Sequence, residues 1–420
     1  MINNANVPQI RFDGFNIDWK EVKLKDLLVE RNVLQLPSKE IPLVSFTVEN
    51  GVTPKSDRYN REFLVKQNDK KYKFTKINDI VYNPANLKFG AISRNNYGNA
   101  VFSPIYVTFE TTKLVTPQFI EIIVSSPNFI KKSLAFQEGT VYERMAVKPE
   151  DLLSIIVQIP TIVEQKKIGE FFHNLDNLIT AESKKLDALK AHKKGMLQKM
   201  FPSDGKNIPE LRFPEFRNNN EWELILFDEV FSFFQTNTFS RSEMTKEKKE
   251  VQNIHYGDIL TKYGNNILDT SIIPYINENI DLKRFRDDSY LQDGDIIIAD
   301  TAEDLTAGKV IEIRNVNSKI LAGLHTMLCR PNKEFAPNFL GHYMNSPCYH
   351  SKIQTLLAGT KVYSINKSNI KKTGIHMPNI EEQQKIADCL NSLDELITAQ
   401  NKKCYNLKQL KKGYLQKMFV

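Results

Sequence analysis

"KKGMLQKMF" at residues 193–201 returns as "KKGYLQKMF" at residues 411–419, 218 positions later. The phrase closes a longer repeat. Residues 160–201 align with 378–419 without a gap, and 24 of the 42 pairs are identical. The likeness extends outward. "PQFIEIIVSSPNFIKKSLAFQEGT" (117–140) faces "PNFLGHYMNSPCYHSKIQTLLAGT" (337–360), and "PELRFPEF" at 209–216 resembles "PQIRFDGF" at 8–15. Two tandem copies of one unit follow, each a divergent half and then a repeated half. The boundaries expected are 1–159, 160–201, 202–377 and 378–420.

The repeated halves read as long helices. A capping box is expected at Thr161 and Glu164 after Pro160, with Asn379 and Glu382 after Pro378 as its counterpart. Apolar residues recur in a 4-3 alternation at Ile168, Phe172, Leu175, Ile179, Leu186, Leu189 and Met196. The second copy gives Ile386, Leu390, Leu393, Ile397, Leu407 and Tyr414. Polar residues interrupt at Glu182, Lys193, Gln400 and Lys411. This is the pattern of a coiled-coil seam. A helix of about 39 residues spans about 58 Å, and two such stripes in one chain can cover each other, with antiparallel pairing expected. Gly195 and Gly413 stand inside the pattern. Each marks a kink, a close helix crossing or a partner's backbone, and the sequence leaves the three open.

The divergent halves read as mixed α and β. Short apolar runs centred near Val44, Ile80, Val107, Ile156, Ile297, Ile311 and Leu328 are expected strands. Helices are expected from Pro117 and Pro127, with Pro337 and Pro347 opening their counterparts. The fold class is therefore α+β: two mixed domains separated by two long helices in an antiparallel coiled coil, with a pseudo-twofold internal repeat.

At 420 residues with 41% apolar side chains, the chain can bury two cores. No apolar run is long enough to span a membrane, and "MINNANVPQ" lacks a signal sequence. The cysteines, Cys329, Cys348, Cys389 and Cys404, lie scattered in the second half, which reads as reduced thiols in a cytoplasmic protein. The net charge of +7 permits polyanion binding without demanding it.

Several loops carry the groups that read base edges and hold phosphates. The candidates in the first half are Arg58, Arg61, Arg94, Asn95, Asn96, Tyr97, Thr140, Tyr142 and Arg144. Those in the second are Arg241, Lys246, Tyr263, Asn265, Arg284, Arg286, Thr360, Lys361 and Tyr363. Chemistry of an enzyme is not evident. No glycine-rich cradle follows a strand, and "NPAN" at 83–86 lacks the second proline and the aromatic of an amino-methyltransferase motif. His342, Cys348 and His350 are ligand types without a fourth member, so no metal and no cofactor is expected.

The doubled pattern Pro-x-x-x-Glu-Gln-x-x-Ile…Leu-Asp…Lys-Lys-Gly-x-Leu-Gln-Lys-Met-Phe, each copy behind a variable half, resembles the specificity subunits of type I restriction–modification enzymes. The resemblance covers the whole chain. It implies two target-recognition domains, each reading one half of a split site in double-stranded DNA. It also implies two methyltransferase subunits on the paired helices, restriction subunits (an ATP-dependent nuclease and translocase) bound through them, and no catalytic site in the chain. Two other classes stay open on residues alone: a coiled-coil scaffold without a DNA role, and a stand-alone methyltransferase or nuclease.

Overall fold

The computed structural model describes residues 7–48, 50–54, 70–137 and 146–419. The chain divides into two compact units, residues 1–182 with 403–420, and residues 183–402.

The long helices form over Ile162–Lys199 and Ile380–Lys417, 38 residues each. Their N-termini are capped from the preceding side chains. The Glu164 N–H donates to Thr161 Oγ1 at 3.4 Å, and the Glu382 N–H to Asn379 Oδ1 at 2.8 Å. The glutamate carboxylates serve a different end from the return bond of a capping box. Both oxygens of Glu164 accept from Arg11, at 2.7 Å each, and both of Glu382 accept from Arg212, at 2.7 and 2.8 Å. The two carboxylates are fully buried. A buried carboxylate needs a paired cation, and the guanidinium fork answers both oxygens at once. The neighbouring glutamines add a second tie. Gln165 donates to the Pro160 and Leu114 carbonyls and accepts from the Thr116 N–H. Gln383 donates to the Pro378 carbonyl and accepts from the Ala336 N–H. Each Glu-Gln pair thus fastens three chain segments to the start of a long helix.

In the first unit a four-stranded antiparallel sheet runs in the order Leu28–Glu30, Val107–Thr111, Ile80–Tyr82, Ile92–Arg94. Helix Pro117–Val124 buries Phe119, Ile120, Ile123 and Val124 in the same core. The second unit has a five-stranded sheet, Phe231–Phe234, Thr326–Pro331, Ile296–Ala299, Val310–Ile313, Asn266–Ile267, and a separate four-stranded one around Val251–Ile254. Ile296, Ile297 and Ile298 are all buried, which explains why that run reads as continuous rather than alternating. Pro337 opens a turn here rather than a helix. Asn338 takes φ 69°, its N–H bonds to the buried Glu312, and the helix starts at Phe339.

Both units share one closing device. Lys20–Lys23 pairs antiparallel with Ile156–Ile159, and Glu223–Leu226 pairs antiparallel with Gly374–Met377. The first strand of each unit thereby lies beside the last strand before its long helix.

Within the first unit, Asp176 pairs with Lys411 at 2.5 Å, Glu182 with Lys403 at 2.6 Å, and Phe171 meets Tyr414 edge-on at 5.1 Å. Numbers rise on one helix as they fall on the other, so the helices run antiparallel. Within the second unit, Lys193 pairs with Asp394 at 2.5 Å. Lys193 is the repeat mate of Lys411, and Asp394 that of Asp176. The same ion pair is built twice with the helices exchanged. Three of the four polar interruptions in the apolar stripe therefore carry ion pairs, and the fourth, Gln400, is buried. Of the seam residues, Ile168, Phe172, Leu175, Leu186, Ile386, Leu390 and Leu393 are buried, and Ile179, Leu189, Met196, Ile397, Leu407 and Tyr414 are half-buried.

The nine-residue phrase ends in a phenylalanine that fills an aromatic box. Phe201 meets Trp222, Phe339 and Tyr343, with ring centroids 6.3, 6.0 and 5.5 Å away. Phe419 meets Trp19, Phe119 and Phe172 at 5.9, 5.8 and 6.0 Å. Trp19 and Trp222 are repeat mates, as are Phe119 and Phe339. The first long helix thus ends in the second unit, and the second ends in the first. Among the described residues, no helix is long and apolar enough to cross a membrane.

Candidate nucleic-acid interface

One surface of the second unit gathers cationic and aromatic side chains from four loops. Its anchor is Asp258, fully buried on the short helix Tyr256–Thr261. Its carboxylate receives Arg241 Nη1 at 2.6 Å and Lys262 Nζ at 2.6 Å. Burial pushes this carboxyl up, but the bonds from Arg241 and Lys262 outweigh it and hold the group below the ordinary range. The two cations are half to two-thirds exposed, at 49% and 61% of the side chain. A hidden charge here fixes the direction of two visible ones.

The surface continues from Arg241. Its Nη2 lies 3.4 Å from His255 Nδ1, and burial followed by the Arg241 charge lowers the pKa of that imidazole. The Tyr256 ring stands edge-on to His325 at 5.3 Å. His325 occupies a turn with φ 53°, a left-handed conformation that a side-chain-bearing residue adopts at a cost. Its Nδ1 lies 3.4 Å from both Thr301 Oγ1 and the Asp300 carboxylate. Thr301–Ala302 then pairs antiparallel with Tyr363–Ser364. The loop leading into that strand turns at Gly359, where φ is 113° and a Cβ would lie 1.9 Å from the Val362 carbonyl, so no side chain fits. Thr360 and Lys361 are exposed there, and Tyr363 is half-buried. This arrangement offers guanidinium, ammonium, imidazole, phenol and hydroxyl groups, a set suited to base edges and phosphates.

Residues 219–409 match the family model described as the type I restriction modification DNA specificity domain. The MjaVIII specificity subunit of Methanocaldococcus jannaschii is 24% identical over 272 residues, 62% of this chain and 60% of that protein. The putative MjaX specificity subunit of the same organism is 25% identical over 276 residues, 64% and 59% of the two chains. The match thus spans about three fifths of the length of these curated relatives. The crystal structure of a type I S subunit from M. genitalium aligns over 99% of both chains with a TM-score of 0.59 at 13% identity. A chain from a structural study of type I complex assembly and conformational transition aligns over 96% of this chain and 98% of that one, with a TM-score of 0.53 at 17% identity.

Residues 219–409 thus resemble a type I DNA specificity domain, and the whole chain shares the fold of a solved type I S subunit.

The loop candidates of this chain divide into three groups. Arg241 stands at one end of the series of contacts just described, and Tyr363, with the exposed Thr360 and Lys361 before it, stands at the other. Lys246, Arg284 and Arg286 are exposed elsewhere: Arg284 lies over the rings of Phe239 and Phe285, and Arg286 pairs with Asp288 at 3.2 Å. Tyr263 is buried, and burial raises its phenol pKa. Asn265 turns inward to His342 at 3.1 Å. In the first unit, Arg94 is buried between Glu121 and Asn78, both at 2.8 Å. Asn95 is fully buried and bonds to Thr75, Lys76, Tyr97 and Gly98. The sequence grouped these two with a DNA-reading loop, whereas in the structure they pin that loop from below and leave Asn96 and Tyr97 exposed at its crest. Arg58, Arg61, Thr140, Tyr142 and Arg144 lie outside the described residues.

Sequence reasoning passed over Lys262, Tyr256 and His325. Lys262 directly precedes the candidate Tyr263, and its spacing of four from Asp258 was the available signal. The position of His325 depends on a strand pairing far away in the chain and left no local mark. Arg11 and Arg212 were also missed, although "QIRF" and "ELRF" sit in the aligned repeat.

Proposed function

We propose that this specificity subunit reads a bipartite site in double-stranded DNA, residues 1–159 setting one half and residues 202–377 the other. The helical repeats 160–201 and 378–420 hold two methyltransferase subunits, and restriction subunits join through those. Methyl transfer and ATP-driven cleavage belong to the partners, and the chain works in the cytoplasm without a cofactor of its own.

One observation carries this reading. The same frame is built twice: Arg11–Glu164 and Arg212–Glu382, Phe419 and Phe201, Asp176–Lys411 and Asp394–Lys193. Inside the two frames the sheets and loops differ. A symmetric pair of partners needs equivalent docking surfaces, and a split target needs unlike reading surfaces. The surface around Arg241, Lys262 and His325 is the reading surface assigned to the second half-site.

The test is an exchange. Residues 24–155 are replaced by the equivalent segment of a relative, and methylated positions are mapped on DNA treated with the assembled complex. One half of the target should change and the other stay. A change in both halves would show a single composite surface. If the chain with its methyltransferase bound no duplex at all, the coiled-coil scaffold reading would replace this one.

A further inference from the structure

Gly195 and Gly413 have no use inside the fold. A Cβ built at either would meet no described atom within 4 Å. Neither has a left-handed φ, and each long helix runs unbroken through its glycine. A close crossing of the two helices is thereby removed as a reason, and no break in either helix marks a kink at the glycine. Gly169, on the first long helix, is the opposite case: its Cβ would lie 2.9 Å from Gln118 Cβ, yet its repeat mate is Ala387. The glycine that the fold uses is not kept between the copies. The glycine that the fold does not use is kept, although glycine inside a helix is unfavourable relative to alanine.

The surroundings of the two glycines are kept as well. Lys190, Lys194 and Gln198 are exposed, and so are their identical mates Lys408, Lys412 and Gln416. Residues 190–201 and 408–419 hold four lysines each and no acidic residue. Lys193 and Lys411 are spent on Asp394 and Asp176, and Lys199 on Glu210. Lys190, Lys194, Lys408 and Lys412 form no ion pair among the described residues. The helix dipole favours lysine near a C-terminus. That accounts for their sign and leaves the glycines unexplained.

We propose that each glycine is the floor of a docking site for one helix of a methyltransferase subunit, whose acidic side chains pair with the flanking lysines. The missing Cβ lets the two backbones approach. Each unit carries one such glycine, so the chain offers two equivalent sites. This inference rests on the reading that the repeats hold two methyltransferases, and it names the part of the surface that does so.

The experiment uses the full chain with its cognate methyltransferase subunit, and native mass spectrometry counts the subunits bound. Wild type should carry two. Gly195→Leu and Gly413→Leu should each carry one, and the double variant none. Gly195→Ala and Gly413→Ala should raise the thermal midpoint of the free chain while weakening capture at least tenfold, a combination that damage to folding cannot give. Lys190→Glu with Lys194→Glu should weaken one of the two sites. If wild type captures two subunits and the double leucine variant captures both equally well, the glycine assignment is overturned and the reading that the repeats hold two methyltransferases stands. If wild type captures none, both fall together.

Discussion

Arg212 and Arg241 lie in the same unit and both engage a fully buried carboxylate, yet they do opposite work. Arg212 is itself buried, gives Nε and Nη2 to Glu382 and Nη1 to the Asn219 carbonyl, and so keeps nothing for a ligand. Arg241 gives Asp258 one nitrogen and keeps half its side chain in solvent. The first interaction recurs in the other unit, as Arg11 with Glu164, and the second does not. The interaction written twice holds the frame, and the Arg241 interaction, written once, faces outward.

The largest effect expected from this contrast is on stability. Arg212→Ala leaves Glu382 buried without a partner and should cost about 3–5 kcal/mol, the usual penalty for breaking a buried pair from one side. Chemical unfolding followed by Trp222 fluorescence, with Trp19 replaced by Phe, reports on the second unit alone. Replacing Arg212 and Glu382 together with leucine and methionine should recover much of the loss. A single variant within 1 kcal/mol of wild type would show that the clamp is dispensable.

The next effect depends on pH and separates the units. His342 is buried against Asn265, Asn266 and Asn391, with Lys193 and Asp394 nearby, and burial pulls its pKa down to about 4. The unfolded chain binds that proton near pH 6.5. The contribution of His342 is therefore complete above about pH 6.5 and is lost as pH falls toward 4. The loss amounts to as much as about 3 kcal/mol. His376, lowered to about 4 chiefly by burial, acts in the same direction. The aligned residue in the first unit is Ile122. Urea midpoints between pH 7 and 4.5 should thus fall for the second unit, and His342→Gln should flatten part of the slope. An unchanged slope would show that the imidazole does not titrate on unfolding.

The smallest effect concerns reading. Arg241→Ala should cost about 1–3 kcal/mol at the second half-site, the range for a lost base contact, and leave the first untouched. Arg94→Ala should instead lower the stability of the first unit, because it removes the guanidinium bonds to Glu121 Oε2 and Asn78 Oδ1, with target choice unaltered. Methylation rates on duplexes with single base changes, set beside unfolding midpoints, distinguish these outcomes. Target discrimination lost in Arg94→Ala at unchanged stability would reverse the assignment.

The repeat, the helices and the apolar seam were legible because each is a periodic or duplicated signal within one stretch of chain. The arginine clamps were not. Glu164 and Glu382 sit at the right spacing for a capping box, and their true partners lie 153 and 170 residues earlier. Arg94 and Asn95 were misjudged for a related reason. Residue type tells which groups can read DNA, while burial decides which are free to, and burial at a loop base is set by strands elsewhere. His325 shows the same limit from the other side, since its strained turn is visible only once Thr301 and Tyr256 are beside it.

The seating of Phe419 against Trp19 and Phe119 has a consequence in time. Residues 183–402 form a continuous unit and can close as they emerge. The other unit begins first and waits for its last piece, roughly 260 residues after Ile159. At about 5–20 residues per second, this is a delay on the order of ten to fifty seconds. During it, an aromatic box stands open on a nascent chain. The unit begun before residues 183–402 is thus finished after them, so premature termination near residue 400 would spare the second unit and leave the first exposed to chaperones and proteases.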